Sequence, residues 1–162
     1  MKLKMIKVKE YYLNDKLEFE GEYLKGKRNG KGKEYNYYNG KLLFEGEYLN
    51  GERNGKGKEY HYKSILKFKG EYLNGKRNGK GKEYYRDGKL KFEGEYLNGK
   101  KWNGIGFNNN NEIEYEIKNG NGKVKEYDEN GKLKFEGEYL NGERNGKGKE
   151  YYKNGKLKFE GE

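Results

Sequence analysis

The only aliphatic hydroxyl in the sequence, Ser64, stands three residues from the only imidazole, His61. Acyl-transfer chemistry needs such a nucleophile and base in register, with an acid to orient the base. The segment Tyr60-His61-Tyr62-Lys63-Ser64 occupies a position that elsewhere reads Tyr84-Tyr85-Arg86-Asp87-Gly88. Both side chains are therefore read as turn substitutions, and no catalytic residue is expected. One His and no Cys cannot build a zinc cluster, and Asp15, Asp87 and Asp128 are isolated from one another. Neither a metal nor a cofactor is expected. The stretch from Gly51 to Lys58 is Gly-rich and basic like a phosphate loop. It lacks the Gly-Lys-Ser/Thr ending, and no helical pattern follows to supply an N-terminal dipole.

Two binding chemistries have more material. The formal net charge is +10, and basic residues recur at matching places: Lys27, Arg28, Arg53, Lys76, Arg77, Lys100, Lys101 and Arg144. Aligned by a regular fold, they would form a ladder for anionic lipid headgroups, each cation near the surface contributing about 1 kcal/mol. A solvated surface that keeps the chain soluble is the blander reading of the same charges. The second material is aromatic. Eighteen Tyr and one Trp are present, and Tyr35, Tyr60, Tyr84, Tyr151 and Trp102 are candidates to line a groove for a partner. Large amphipathic rings bind proteins with little entropic loss.

The elements that must position these residues follow from composition and periodicity. Only 30% of residues are hydrophobic and 40% are charged, which excludes a thick core, while aromatics at 16% argue against disorder. Pro and Cys are absent and Gly occurs 27 times, so helix propensity is poor and Asn-Gly turns favour hairpins. Residues 1–12 hold no long apolar stretch, so neither a secretory signal nor a membrane helix is read there. Leu90, Phe92, Gly94 and Tyr96 alternate with Lys91, Glu93 and Glu95, the period of a strand with one apolar face. The motif recurs as Phe19, Gly21, Tyr23; Phe44, Gly46, Tyr48; Phe68, Gly70, Tyr72; Phe92, Gly94, Tyr96; and Phe135, Gly137, Tyr139. The repeat length is about 24 residues. Glycines on the second strand of each unit, such as Gly55 and Gly57, are expected where aromatic rings lie flat across the backbone.

The series Phe44-x-Gly46-x-Tyr48-x-x-Gly51-x-x-x-Gly55-x-Gly57 resembles the MORN repeat, and the resemblance extends over nearly the whole chain. It implies an all-β, elongated, twisted single-layer antiparallel sheet of stacked hairpins. In family members that are enzymes the catalysis belongs to another domain, so no enzymatic activity is implied. Expected repeats run over 19–43, 44–67, 68–91, 92–114, 115–134 and 135–158, with a half repeat at 1–18 and a partial one at 159–162. Residues 92–134 are degenerate: Trp102 is inserted, the second strand is replaced by Ile105 to Asn111, and the next unit lacks its first Gly. A kink or irregular loop is expected there.

The resulting expectation is a non-enzymatic scaffold that holds a protein partner on a concave aromatic face. The alternative is a peripheral module on an anionic membrane surface. Nucleic acid is not an expected partner. The complementary half repeats at the two ends suggest head-to-tail self-association as a further mode. A cytoplasmic location, peripheral at a membrane under the alternative, is the default.

Overall fold

The computed structural model describes residues 4–162, and these form fourteen β-strands and no helix. Residues 1–3 of the half repeat expected at 1–18 lie outside the described residues. Two compact units divide the chain between Lys76 and Arg77.

The first unit holds β1 (Ile6–Tyr11), β2 (Leu17–Leu24), β3 (Lys27–Tyr35), β4 (Leu42–Leu49), β5 (Glu52–Tyr60) and β6 (Leu66–Leu73). Each strand pairs antiparallel with the next in chain order. The tight turns between β2 and β3 and between β4 and β5 carry two successive residues at positive φ, Lys25 and Gly26 in one and Asn50 and Gly51 in the other. That backbone matches the right-handed twist of the flanking strands, and Asn-Gly suits it best. Wider turns follow β1, β3 and β5.

Register places like residues in rows across the sheet. Gly21, Gly32, Gly46, Gly57 and Gly70 are consecutive cross-strand partners. Beside them runs an alternating row of Glu10, Phe19, Glu34, Phe44, Glu59 and Phe68. The Phe rings lie over the glycine row. A Cβ on Gly32 would come within 2.4 Å of Phe19 Cζ, and one on Gly57 within 2.5 Å of Phe44 Cζ. The expected use of glycine as a floor for rings holds for Gly57 but not for Gly55, which has φ +95 and lies against the Glu47 side chain, so it is required by its backbone and not by a ring. Tyr48 stands edge-on to both Phe19 and Phe44, at centroid distances of 5.3 and 5.7 Å. Phe19, Phe44 and Phe68 are completely buried, although only one sheet supplies their surroundings.

The second unit contains β7 (Lys76–Tyr84) from Arg77 onward, β8 (Leu90–Leu97), β9 (Lys100–Phe107) and β10 (Ile113–Ile117) in one run of paired strands. A second run comprises β11 (Gly122–Tyr127), β12 (Leu133–Leu140), β13 (Glu143–Tyr151) and β14 (Leu157–Gly161). The kink anticipated within 92–134 is the break between β10 and β11, which share only the turn bridge of Lys118 with Asn121. The stretch expected to lose its second strand keeps one as β9, but in altered register. In regular hairpins Tyr48 faces Arg53 and Gly46 faces Gly57, leaving two extra residues in the bulge. In β9 Tyr96 faces Lys101 and Gly94 faces Gly104, leaving one. Phe92 then faces Gly106, where Phe44 faces Glu59.

Candidate functional site

Three arrangements bear on function: a cation–carboxylate network over the Phe rings, a cluster of loop tyrosines in the first unit, and a cavity in the second.

The network accounts for the arginines. Arg53 lies 4.0 Å above the centre of the Phe44 ring and grips Glu34 through Nε at 3.3 Å and Nη2 at 2.5 Å. Tyr48 donates its hydroxyl hydrogen to the same carboxylate at 2.6 Å. Arg28 repeats this over Phe19 at 4.1 Å with Glu10, and Arg144 over Phe135 at 4.1 Å with Glu126, to which Tyr139 also donates. Guanidinium is suited to the place because it is flat, stacks on a ring and matches a carboxylate with two parallel donors. Burial would raise the carboxyl of Glu34, but Arg53 and Tyr48 outweigh it and hold the group below its ordinary range. Burial and the Glu34 carboxylate together push the Tyr48 phenol far up.

The expected basic ladder consequently separates into two groups. Arg28, Arg53 and Arg144 are spent on internal pairs, and Lys101 takes the arginine position over Phe92 at 4.6 Å, paired with Glu83 at 3.0 Å. Arg77 lies 5.8 Å from the Tyr96 ring, and Lys100 pairs with Glu143 at 2.7 Å. Lys27 and Lys76 remain exposed at the turns.

The candidate groove residues are also placed individually. Tyr35 and Tyr60 are equivalent strand-end residues of the first unit, donating to Glu20 and Glu45 at 2.6 Å each. Burial, with Glu20, pushes the Tyr35 phenol up to about 12. Tyr84 and Tyr151 occupy the same place on β7 and β13 of the second unit, Tyr151 donating to Glu136 at 2.6 Å. Trp102 sits on the β9 bulge, and its carbonyl accepts the Gly120 amide hydrogen at 2.8 Å. Next to Tyr35 and Tyr60, the wider turns of the first unit carry Tyr37, Tyr38 and Tyr62, and Tyr11 ends β1, all exposed. Tyr12 and Tyr37 meet edge-on at 5.1 Å, and Lys16 Nζ donates to the Tyr38 carbonyl at 2.7 Å, so successive turns adjoin. His61 and Ser64 lie in one of these turns, where the Ser64 amide donates to the His61 carbonyl at 3.0 Å and Ser64 has φ +61.

The cavity, of about 320 Å³, lies within the second unit between β7–β10 and β11–β14. Tyr85, Tyr96, Tyr115, Tyr127 and Tyr139 contribute to its wall, with Glu83, Lys91 and Lys101. The amide of Arg86 donates to the Glu129 carbonyl at 2.9 Å, and Tyr85 meets Tyr127 edge-on at 6.4 Å, joining the two runs on one side. Burial would raise the Glu83 carboxyl, but Lys101, Lys91 and Arg77 together hold it down at about 2. Burial pulls the Lys91 ammonium below its ordinary range, whereas Lys101 is pushed well above it because the Glu83 charge overcomes burial.

The recurring Phe, Gly, Tyr and turn positions are matched by known family profiles. The MORN repeat profile matches residues 19–41, 44–63, 68–89 and 135–156, and the MORN repeat variant profile matches 6–25 and 120–141. This chain belongs to the MORN-repeat family. No curated protein matches it. The MORN profiles pass over the stretch that holds β9 and β10, which is where the Phe–Glu row and the strand ladder are both interrupted.

Sequence reasoning missed the carboxylates that hold the MORN arginines, Glu10, Glu34 and Glu126. The signal was available, since each stands in a Lys-Glu-Tyr sequence at a near-constant distance before its arginine. It also missed the asparagines that tie successive turns together. Asn29 accepts from the Asn50 amide at 3.3 Å, Asn78 from Asn98 at 3.0 Å, and Asn121 from Asn141 at 3.1 Å.

Proposed function

We propose that this MORN array is a non-enzymatic scaffold that binds an acidic protein segment along the wider turns of its first unit. The observation that carries the reading is the cluster of exposed tyrosines Tyr37, Tyr38 and Tyr62 on consecutive turns, with Tyr11 exposed at the end of β1 and Leu13 fully exposed in the turn that follows it. Phe19, Phe44, Phe68, Tyr48 and Tyr72 are the core of the first unit, so they offer no surface to a partner, and the turn tyrosines do. Lys16, Lys41 and Lys63 stand beside them, and the net charge of +10 favours a partner of opposite sign. Tyr35 and Tyr60 adjoin the cluster as pre-fixed rings, held by their carboxylate partners.

Selection of a displayed peptide library on the purified chain tests this. Acidic peptides with apolar anchors are expected, and the combined change Tyr37→Ser, Tyr38→Ser and Tyr62→Ser should weaken them at least about tenfold. Selected peptides indifferent to that change would overturn the reading. The membrane alternative is checked with vesicles containing phosphatidylserine at low and physiological salt, using Lys27→Gln with Lys76→Gln. Those two lysines are the proper targets because replacing Arg28, Arg53 or Lys101 would dismantle internal pairs.

A further inference from the structure

Beside the cavity of the second unit, the alternating Phe–Glu row loses one carboxylate. In regular repeats each Phe of the alternating row has a glutamate on both sides, as Phe44 has Glu34 and Glu59. Phe92 has Glu83 on one side and Gly106 on the other, and the Tyr115 ring fills the space a side chain at 106 would take. The cations have not been lost with it: Lys101 keeps the arginine position, and Lys91 of β8 faces the same cavity. Glu83 therefore serves two lysines. Its oxygens lie 3.0 Å from Lys101 Nζ but 3.8 Å from Lys91 Nζ, and the second distance is too long for a hydrogen bond. Lys91 Nζ lies 5.5 Å from the centre of the Tyr85 ring and, among the described residues, donates no hydrogen bond, although its side chain is only 16% exposed. An ammonium has three donors to satisfy, and Lys91 lines the cavity, where a ligand acceptor can reach them.

The space beside Lys91 has the shape and chemistry to correct this. Its walls are phenol rings, and a cavity of about 320 Å³ is at the lower end of the range that accepts small organic molecules. Glu126, the other cavity carboxylate, is already taken by Arg144 and Tyr139. The arrangement asks for one negative charge carried on a flat apolar body.

We infer that the cavity between β7–β10 and β11–β14 binds a small aromatic carboxylate, whose carboxylate lies beside Lys91 and accepts hydrogen bonds from it. The ring lies among Tyr85, Tyr115 and Tyr127. This site is separate from the tyrosine turns of the first unit, so its test does not depend on the scaffold reading.

Titration calorimetry of the full chain with 2-naphthoate, and with 2-naphthamide as the uncharged isostere, reads the inference directly. The acid should bind and the amide should bind at least tenfold more weakly, about 1.4 kcal/mol. Lys91→Met should cost the acid at least tenfold in affinity while leaving the melting temperature of the free protein unchanged or higher, because a buried ammonium without hydrogen bonds is removed. Lys134→Met, at the matching and exposed position before Phe135, should change neither. Equal binding of acid and amide, or binding of neither, would overturn the site. So would a Lys91→Met chain that binds normally. Lys91→Gln keeps a donor without the charge and should lose the acid too. If both Lys91 variants melt well below the parent, Lys91 is a structural partner of Glu83 and the inference fails.

Discussion

At the scale of single residues, stability here depends on what is missing from glycine. Gly57 has an ordinary strand backbone, so alanine there should gain about 0.5–1 kcal/mol from reduced unfolded-state freedom. Instead its Cβ would stand 2.5 Å from Phe44 Cζ, which cannot move away because Arg53 caps the ring and Tyr48 holds its edge. Gly57→Ala is therefore expected to destabilise by about 1–3 kcal/mol in urea unfolding. Adding Phe44→Leu should recover part of that loss, since a smaller side chain frees the space. A neutral Gly57→Ala would show that the ring is not pressed on the strand. The glycine requirement was legible in the sequence because rings and glycines recur in step. The guanidinium cap was not, because an arginine in a polar repeat looks the same whether it faces water or a ring.

At the scale of elements, the array has two kinds of strand. β4 and β5 are each hydrogen-bonded to a neighbour on both sides. β10 pairs with β9 alone and β11 with β12 alone. Hydrogen exchange should therefore reach the amides of β10 and β11 before those of β4 and β5, with the Lys118–Asn121 turn among the earliest. Equal protection across these strands would mean that the break is closed in solution. The turns resist the break better than the ladder does. The Gly120 amide still donates to Trp102, and the Gly142 amide to Gly120, as Gly51 does to Arg28 and Gly75 to Arg53 in the regular hairpins. Stacked turns keep the degenerate segment in line while its strands part and leave the cavity.

At the scale of the whole molecule, the same carboxylates set the response to acid. Glu34, Glu83 and Glu126 all have folded-state affinities for protons below those of a free carboxyl. A group so lowered adds stability that is complete above the unfolded value, 4.5, and is lost as the pH falls through the folded value, about 2 for Glu83. The melting temperature should stay level from neutral pH to about 5 and then fall steadily toward pH 2. Circular dichroism melts across that range check it, and a melting temperature that holds steady down to pH 2 would mean these pairs contribute little. The phenols act in the opposite sense. Tyr35, with its folded value raised to about 12, adds stability below pH 10 that is lost as the pH climbs toward 12.

The sequence by itself determined the strand periodicity, the Asn-Gly turns, the spacing of the repeats and the place where they fail. All of these are local, written in residues a few positions apart, and a one-residue slip would turn every Phe to the opposite face. Only the tertiary structure decided which cations are free. Arg28 and Lys27 are neighbours in the chain, yet one lies over Phe19 and the other is exposed. The difference comes from register, which brings the Glu10 carboxylate to the Arg28 guanidinium, while Lys27 stands exposed at the start of β3. The cavity was hidden for the same reason. Gly106 is an ordinary glycine in a glycine-rich chain until the altered bulge of β9 sets it opposite Phe92, where its neighbours place a carboxylate.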